Sequence, residues 1–501
     1  MRTYSLVEAF LRHARERPLA PALVWREEEL GYGDLLRRAD SVRARLKAMD
    51  APSNEPVCLL AAKSPEAVAM VLACLMERRA FLIPSLDLGA RALRGLIDLS
   101  GCRAVLTPEG TPRNRVPAGA GGAVPPLPED TSFMLTTSGS TGMPKVVPLS
   151  AGAVDRFTRW AGGRFDLGPG SRVLSYAPLH FDLCLLDVWA TLAHGGCVVL
   201  ADPGLAARGD YLLDLVARWE VSTVQAVPMF YRLVAEAADT KRQSLPGVRH
   251  AILTGDSVPG PLQRRIPDLL PNARLYNVYG CTETNDSLIH EIESEDGLGA
   301  PFPLGSPLPG VTVAVVDSEG RPFRGSGIGE LWVRTPFQTL GYLGRANDRT
   351  VFADDPGSGG RNSGPFFRTG DLVRRDETGR ITLEGRGDFH VKVRGVRVNT
   401  QEVEHVLLHH PDVVEAVVLA RRDLVAGRLL HLVVRRTPGS ELNSLVLRRH
   451  CAARLPRAAL PSTVRITDDA LPRTSTGKPD RERIARVYFE PDRPNEQGEQ
   501  T

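Results

Sequence analysis

Residues 135–145 read LTTSGSTGMPK. Thr136, Thr137, Ser138, Ser140 and Thr141 are interleaved with Gly139 and Gly142, and the run closes on Pro144 and Lys145. Small hydroxyl donors, two positions free to take positive φ and one cation make a loop suited to holding phosphate oxygens. A Walker loop would read GxxxxGKS or GxxxxGKT. Here Met143 and Pro144 separate Gly142 from Lys145, so this is not an ordinary P-loop ATPase or GTPase. A flexible Ser/Gly linker is the competing reading. The strand pattern TSFMLTT just before the loop and the Pro-Lys ending argue against it.

The chain on either side alternates helical and strand patterns. SLVEAFLRHARER and YGDLLRRADSVRARLKAM carry helical periodicity, PVCLLA reads as a buried strand, and EAVAMVLACLMERRA as the helix after it. RVLSYAP, CVVLAD, VSTVQAVP and HAILTG continue the βα units. The pattern implies an α/β protein with a largely parallel, helix-covered sheet. From residue 311 short strands separated by Gly and Asp turns suggest a β-rich subdomain of about 305–387. GRGDFHVKVRGVRV then leads into a compact αβ unit. The expected division is a large N-terminal domain over 1–387, a small mobile α+β domain over 388–490, and a disordered tail over 491–501.

Composition narrows the class. The 501 residues carry a net charge of +3, with 42% hydrophobic and 24% charged residues, as in an ordinary soluble protein rather than a nucleic-acid-seeking polyelectrolyte. No window approaches a membrane span. The N-terminal segment, with Glu8, Arg12 and Arg15 among its apolar residues, reads as an amphipathic helix rather than a signal peptide. Seven scattered cysteines without CxxC pairs imply reduced thiols and a cytoplasmic setting, not a disulfide framework or a zinc site.

Five strings in order give the chain its kinship. TTSGSTGMPK resembles the signature loop of the adenylate-forming ligase superfamily, which includes acyl-CoA synthetases, luciferases and peptide-synthetase adenylation domains. NVYGCTETN (277–285), FRTGDLVRRDETGRITLEGRGD (367–388), VKVRGVRVNTQEVE (391–404) and PRTSTGKPDR (472–481) resemble its later motifs. The resemblance implies that a carboxylate attacks the α-phosphate of ATP, giving an acyl-adenylate and pyrophosphate, after which a thiol attacks the mixed anhydride. Such chemistry rests on positioning and charge neutralisation.

By that resemblance, Thr137, Ser138, Gly139, Ser140, Thr141 and Gly142 cradle the β- and γ-phosphates, and Lys145 steadies the loop or the leaving pyrophosphate. Thr282 touches the α-phosphate and Glu283 ligates Mg²⁺, a hard ion that prefers carboxylate oxygen. Tyr279 stacks on adenine beside Gly280, and Asn277 reads the amino edge. Asp371 takes the ribose hydroxyls and Arg386 the ribose or phosphates. Lys478 bridges the substrate carboxylate and ATP in the transition state. Asp388 is the hinge, and Gly395 lies where the thiol arrives. Blander readings exist for each: TET as a helix start with Thr282 or Thr284 as cap, Asp371 as a turn residue, Arg386 as a solvated arginine, Lys478 as a loop lysine, VRGVR as a hairpin turn. The chain departs from the family pattern at Val146, where glycine is usual, and at Ser150 or Ala151, where a nearby histidine is common.

LHFDLCLLDVWATLAHGG (179–196) resembles amino-acid adenylating members, in which an aspartate after phenylalanine binds the substrate ammonium. That aspartate is Asp182; capping of the following helix would also explain it. The same alignment lines the pocket with Leu183, Leu186, Ala226, Ile252, Thr254, Val278, Asp286 and Ser287, closed by Lys478. These mostly small or apolar residues suggest a small or cyclic neutral amino acid such as proline, alanine or serine. Asp286, if it faces the pocket, favours a hydroxyl, a second amine or a displaced amino group. The expected acceptor is the phosphopantetheine thiol of a separate carrier protein in a specialised-metabolite pathway, with free coenzyme A as the competing acceptor. Arg421, Arg422, Arg428, Arg435, Arg436, Arg448, Arg449, Arg454 and Arg457 read equally as a basic face that steers an acidic carrier and as a solvated surface. An acyl- or aryl-CoA ligase and a non-catalytic nucleotide-binding homologue are the alternatives.

Overall fold

The computed structural model describes residues 5–49, 55–86, 88, 90–110, 126–137, 144–293, 296, 300–344, 350–356, 364–386, 390–393, 396–423, 427–455, 459–474 and 477–489. Local sequence sets the first elements. Helix Ser5–Glu16 buries Leu6, Val7, Phe10 and Ala14 on one face, at the spacing of an amphipathic helix. Helix Pro65–Met76 starts on Ser64, whose side chain accepts from the Ala67 N–H, with proline in the first turn where a missing N–H costs nothing. Its residues are apolar on all sides, and Pro65 and Ala67 to Leu75 are buried accordingly.

Two mixed sheets organise the large unit. The first runs Ala104–Leu106, Val57–Leu59, Phe81–Leu82, Thr131–Thr137, Lys145–Ser150. The second has nine strands in the order Ser306–Pro307, Asn285–Ile292, Arg274–Cys281, His250–Thr254, Thr223–Ala226, Arg172–Ser175, Cys197–Leu200, Pro21–Trp25, Glu28–Gly31. The sheets are parallel where helices cross over, as the βα pattern predicts. They turn antiparallel at one margin of the first sheet and both margins of the second, because there consecutive strands return directly as hairpins. The β-rich segment forms a separate six-stranded sheet that includes Phe366–Arg375 and Ile381–Arg386.

One apolar cluster runs from the N-terminal helix through Leu185, Leu186, Ile252 and Val278 to Phe367, so the pocket candidates are rooted in the main core. The C-terminal unit has its own core, including Val403, Leu407, Leu430, Leu432, Leu447 and Cys451. Around that core lie strands Val413–Asp423, Gly427–Arg436 and Thr463–Thr467 and helices Thr400–Leu408 and Ser444–Ala452, while helix Arg481–Phe489 packs through Ile484 on a second small cluster with Val417, Val433 and Leu471. Strands His390–Val393 and Val396–Asn399 pair antiparallel, so VRGVR does join a hairpin. Asp388 and Gly395 lie outside the described residues, as does the tail from 490. All seven cysteines are unpaired. Among the described residues no helix is long and apolar enough to cross a membrane.

Candidate active site

The C-terminal ends of adjacent parallel strands converge, which is where open α/β sheets bind ligands. Thr223–Ala226 ends on Ala226, His250–Thr254 on Thr254, and Arg274–Cys281 runs into Thr282. Arg172–Ser175 leads into the loop that carries Asp182. Leu183, Leu186, Ala226, Ile252, Thr254 and Val278 are all buried.

The turn Thr282–Thr284 joins two antiparallel strands, so TET makes a hairpin tip and not the helix start that the blander reading offered. Gly280 sits in register with Asp286, and a Cβ there would meet the Asn285 carbonyl oxygen at 2.4 Å. Only glycine allows this approach. Asn285 takes φ 57°, a left-handed conformation that asparagine tolerates. The single hairpin thereby carries Asn277, Tyr279, Thr282, Glu283, Asp286 and Ser287.

Each of those side chains has a definite engagement. Asn277 donates through Nδ2 to the Pro303 carbonyl at 2.7 Å, which fixes the amide and leaves Oδ1 as an acceptor. Tyr279 donates to Asp371 Oδ2 at 2.5 Å, so the proposed base-stacking and ribose residues are physically joined. Asp371 lies within a strand, opposite Arg386, and not in a turn. The Arg386 side chain lies outside the described residues. Glu283 is buried and accepts at Oε1 from Tyr342 Oη at 2.6 Å. The Lys145 ammonium rests 4.4 Å from the centre of the Tyr342 ring. Tyr342, absent from the sequence-based candidates, thus links the loop lysine to the metal candidate by a cation–π contact and a hydrogen bond. Ser287 spends its hydroxyl inside the hairpin, on Thr284 Oγ1 and the Asn285 carbonyl.

Asp182 is buried, and its carboxylate takes the side-chain hydrogen bond of Thr282. Burial first, then the charge of Glu283, push it up to about 6, while Lys478 and Thr282 pull the other way. The helix-capping reading does not describe it: its side-chain partner is Thr282, on another element. The Thr282 hydroxyl serves Asp182 here, so a contact with phosphate requires that hydrogen to be redirected. The following segment, Leu185–Ala190, is wound as a π-helix, a geometry frequent at functional sites.

Lys478 arrives from the small domain. Its loop is closed by Thr474 N–H to the Lys478 carbonyl at 2.8 Å, with Gly477 at φ +79°. A Cβ on Gly477 would lie 3.9 Å from Val227 Cγ2, which puts the loop against the end of strand Thr223–Ala226. Glu415 anchors this placement. It accepts from Arg473 of the lysine loop, from the Leu471 N–H at 3.1 Å, and from Arg232 of the large domain at 3.3 Å.

The phosphate-loop candidates divide. Thr137 ends strand Thr131–Thr137 and Lys145 opens Lys145–Ser150, while Ser138, Gly139, Ser140, Thr141 and Gly142 lie outside the described residues. The departures from the family pattern have local reasons. Val146 is fully buried and its carbonyl accepts from Leu343; Ser150 caps helix Ala151–Arg164 by accepting from Ala153. Several of the arginines read as a carrier-facing surface have internal partners. Arg436 pairs with Asp468, and Arg448 donates to the Pro461 and Ser462 carbonyls. Arg421 lies over Phe489.

Buried acids at the strand ends and a lysine from the small second domain, whose charge reaches Asp182, make a site suited to a charged ligand. The chain belongs to the AMP-binding enzymes: that family's model matches residues 10–343, and the model of its C-terminal domain matches residues 402–478. It is 31% identical to an L-proline–[L-prolyl-carrier protein] ligase of Streptomyces coelicolor, over 93% of each chain. It is 25% identical to a D-alanine–D-alanyl carrier protein ligase of Bacillus licheniformis, over 96% of this chain and 98% of that one. ATP-bound MatB from Rhodopseudomonas palustris shares the fold, with a TM-score of 0.79, 23% identity, and coverage of 97% and 99%.

Proposed function

We propose that this enzyme activates an amino acid with ATP as an aminoacyl-adenylate and passes it to the phosphopantetheine thiol of a separate carrier protein. Asp182 carries the reading: a buried carboxylate, held by Thr282 and facing Lys478, suits a substrate with an ammonium group next to its carboxylate. A fatty or aryl acid would leave that carboxylate uncompensated, at a cost of ~3–5 kcal/mol. The carrier-protein ligases among its relatives support the same class.

In this scheme the substrate ammonium pairs with Asp182, and its carboxylate lies within reach of Lys478. The carboxylate oxygen attacks the α-phosphorus and pyrophosphate leaves. Lys478 offsets charge on the carboxylate and phosphate oxygens as the bond forms. Asn277 and Tyr279 take the base, Gly280 lets the backbone approach, and Asp371 with Arg386 takes the ribose. Thr137 to Gly142 and Lys145 hold the outer phosphates. Glu283 is the residue that would hold Mg²⁺. Among the described residues no three acids, histidines or cysteines gather into a protein-only metal cage, which fits an ion that shares its shell with phosphates and water. When bound, Mg²⁺ would supply charge neutralisation on the phosphates. Asp388 would be the hinge between a domain over 1–387 and a lid over 388–490, with Gly395 brought to the thiol entrance by its rotation.

The test is mass-spectrometric detection of aminoacyl-AMP and of aminoacyl-carrier on incubation with ATP, Mg²⁺, an amino-acid panel and a phosphopantetheinylated carrier. Amino-acid-dependent formation of both is expected. Turnover with fatty or aryl acids and coenzyme A, and none with amino acids, would refute the reading.

A further inference from the structure

The returning strand of the hairpin carries a second buried acid, within electrostatic reach of Asp182. Asp286 is 4% exposed, and its Oδ2 has no hydrogen-bond partner. Asn285 Oδ1 takes its backbone N–H at 2.9 Å, so the residue is fixed from behind. Burial and the charge of Asp182 push its carboxyl up to about 8, and Asp286 in turn acts on Asp187. It therefore lies within electrostatic reach of both.

The neighbouring acids can be matched to their partners. Asp187 accepts at Oδ1 from Gln225 Nε2 at 3.2 Å and feels the positive charge of Lys63, although its Oδ2, like that of Asp286, has no hydrogen-bond partner. Lys63 itself is anchored on the carbonyls of Ser175, Tyr176 and Ala177, which head the Asp182 loop. Glu283 has Tyr342. Asp182 has Thr282 and the charge of Lys478. Among the described residues Asp286 has neither a side-chain donor nor a cation, yet it is almost wholly buried. A carboxyl in such a place is expensive unless a ligand completes it.

We propose that the substrate is an amino acid with a second amino group on a short side chain, bound by Asp286 while Asp182 holds the α-ammonium. This rests on the amino-acid activation reading above. A hydroxyl would give Asp286 a hydrogen bond but no charge; an ammonium gives both. The chain is short because the two carboxylates lie near enough to act on each other electrostatically. The neutral substrate expected from the mostly apolar lining does not account for Asp286.

Amino-acid-dependent ATP–pyrophosphate exchange by the native chain tests this with 2,4-diaminobutyrate, 2,3-diaminopropionate, homoserine, 2-aminobutyrate, proline, alanine and β-alanine. One of the diamino acids should exceed 2-aminobutyrate in kcat/KM by ~10²-fold or more. Asp286→Asn should erase most of that ratio while ATP affinity, read by equilibrium binding, stays. Preference of the native chain for a neutral or β-amino acid overturns the proposal, as does a ratio unchanged in Asp286→Asn. Exchange with no amino acid at all refutes amino-acid activation itself, which separates the two failures. The native-chain comparison stands even if the variant misfolds.

Discussion

A buried carboxylate whose few hydrogen bonds do not make up for lost solvation holds its proton more tightly than one in water. Asp182 is such a group, pushed up to about 6 by burial and by Glu283. Between its ordinary value of 3.8 and about 6 the folded protein binds more protons than the unfolded one, so this residue's contribution to stability falls as pH rises through that window. Recognition of an ammonium runs the other way, because it needs the ionised form. The amino-acid KM should rise about tenfold for each unit that pH drops below about 6, with ATP affinity much less affected. A pH profile of amino-acid-dependent exchange checks this, and a flat amino-acid KM from pH 7 to 5 would count against Asp182 as the ammonium partner.

At the scale of elements, the hairpin Arg274–Cys281 with Asn285–Ile292 orders the nucleotide and substrate candidates, and the Glu415 contact joins the small domain to the large one. Arg232 is the large-domain half of that contact. Its loss leaves Glu415 with Arg473, so no acid is stranded. Arg232→Ala should slow adenylate formation about tenfold, the effect of ~1.5 kcal/mol for a charged hydrogen bond. Transfer from preformed aminoacyl-AMP to the carrier, which in the proposed scheme takes place with the small domain rotated away, should be unchanged. Stopped-flow measurement of both half-reactions decides; equal loss in both would mean that Arg232 supports the fold and not the lid. Burial would raise the Glu415 carboxyl, but Arg473 and Arg232 hold it below its ordinary range. The contact is therefore complete above that range and weakens as pH falls through the lowered value.

The hairpin also explains what the sequence could and could not tell. Its strands, like most βα units, were legible from alternation and apolar runs, because those patterns are local. The apolar pocket positions were legible only through alignment to known motifs. Tyr342, Lys63 and Arg232 were missed: each acts through a partner more than 50 residues away, on Glu283, on the Ser175–Ala177 carbonyls or on Glu415. Single arginines, lysines and tyrosines carry no local signal of such pairing. The antiparallel margins of the sheets were missed for a related reason, since strand direction is set by connection length and not by strand composition.

For the whole molecule, the strand ends of the large domain face a small domain whose Lys478 loop lies against them. The Lys478 loop packs at Val227, with its charge felt by Asp182, so the described arrangement suits the first half-reaction. If the amino-acid carboxylate meets the α-phosphate under Lys478, the side chain counts only as charge shifts in the transition state. The most direct measurement is amino-acid-dependent ATP–pyrophosphate exchange by the native enzyme and by Lys478→Ala, with ATP binding measured alongside. Native exchange that requires an amino acid, and a loss of at least ~10²-fold in the variant with ATP affinity retained, is the expected result. Near-native exchange by Lys478→Ala would contradict the assignment of that lysine and of the lid that carries it.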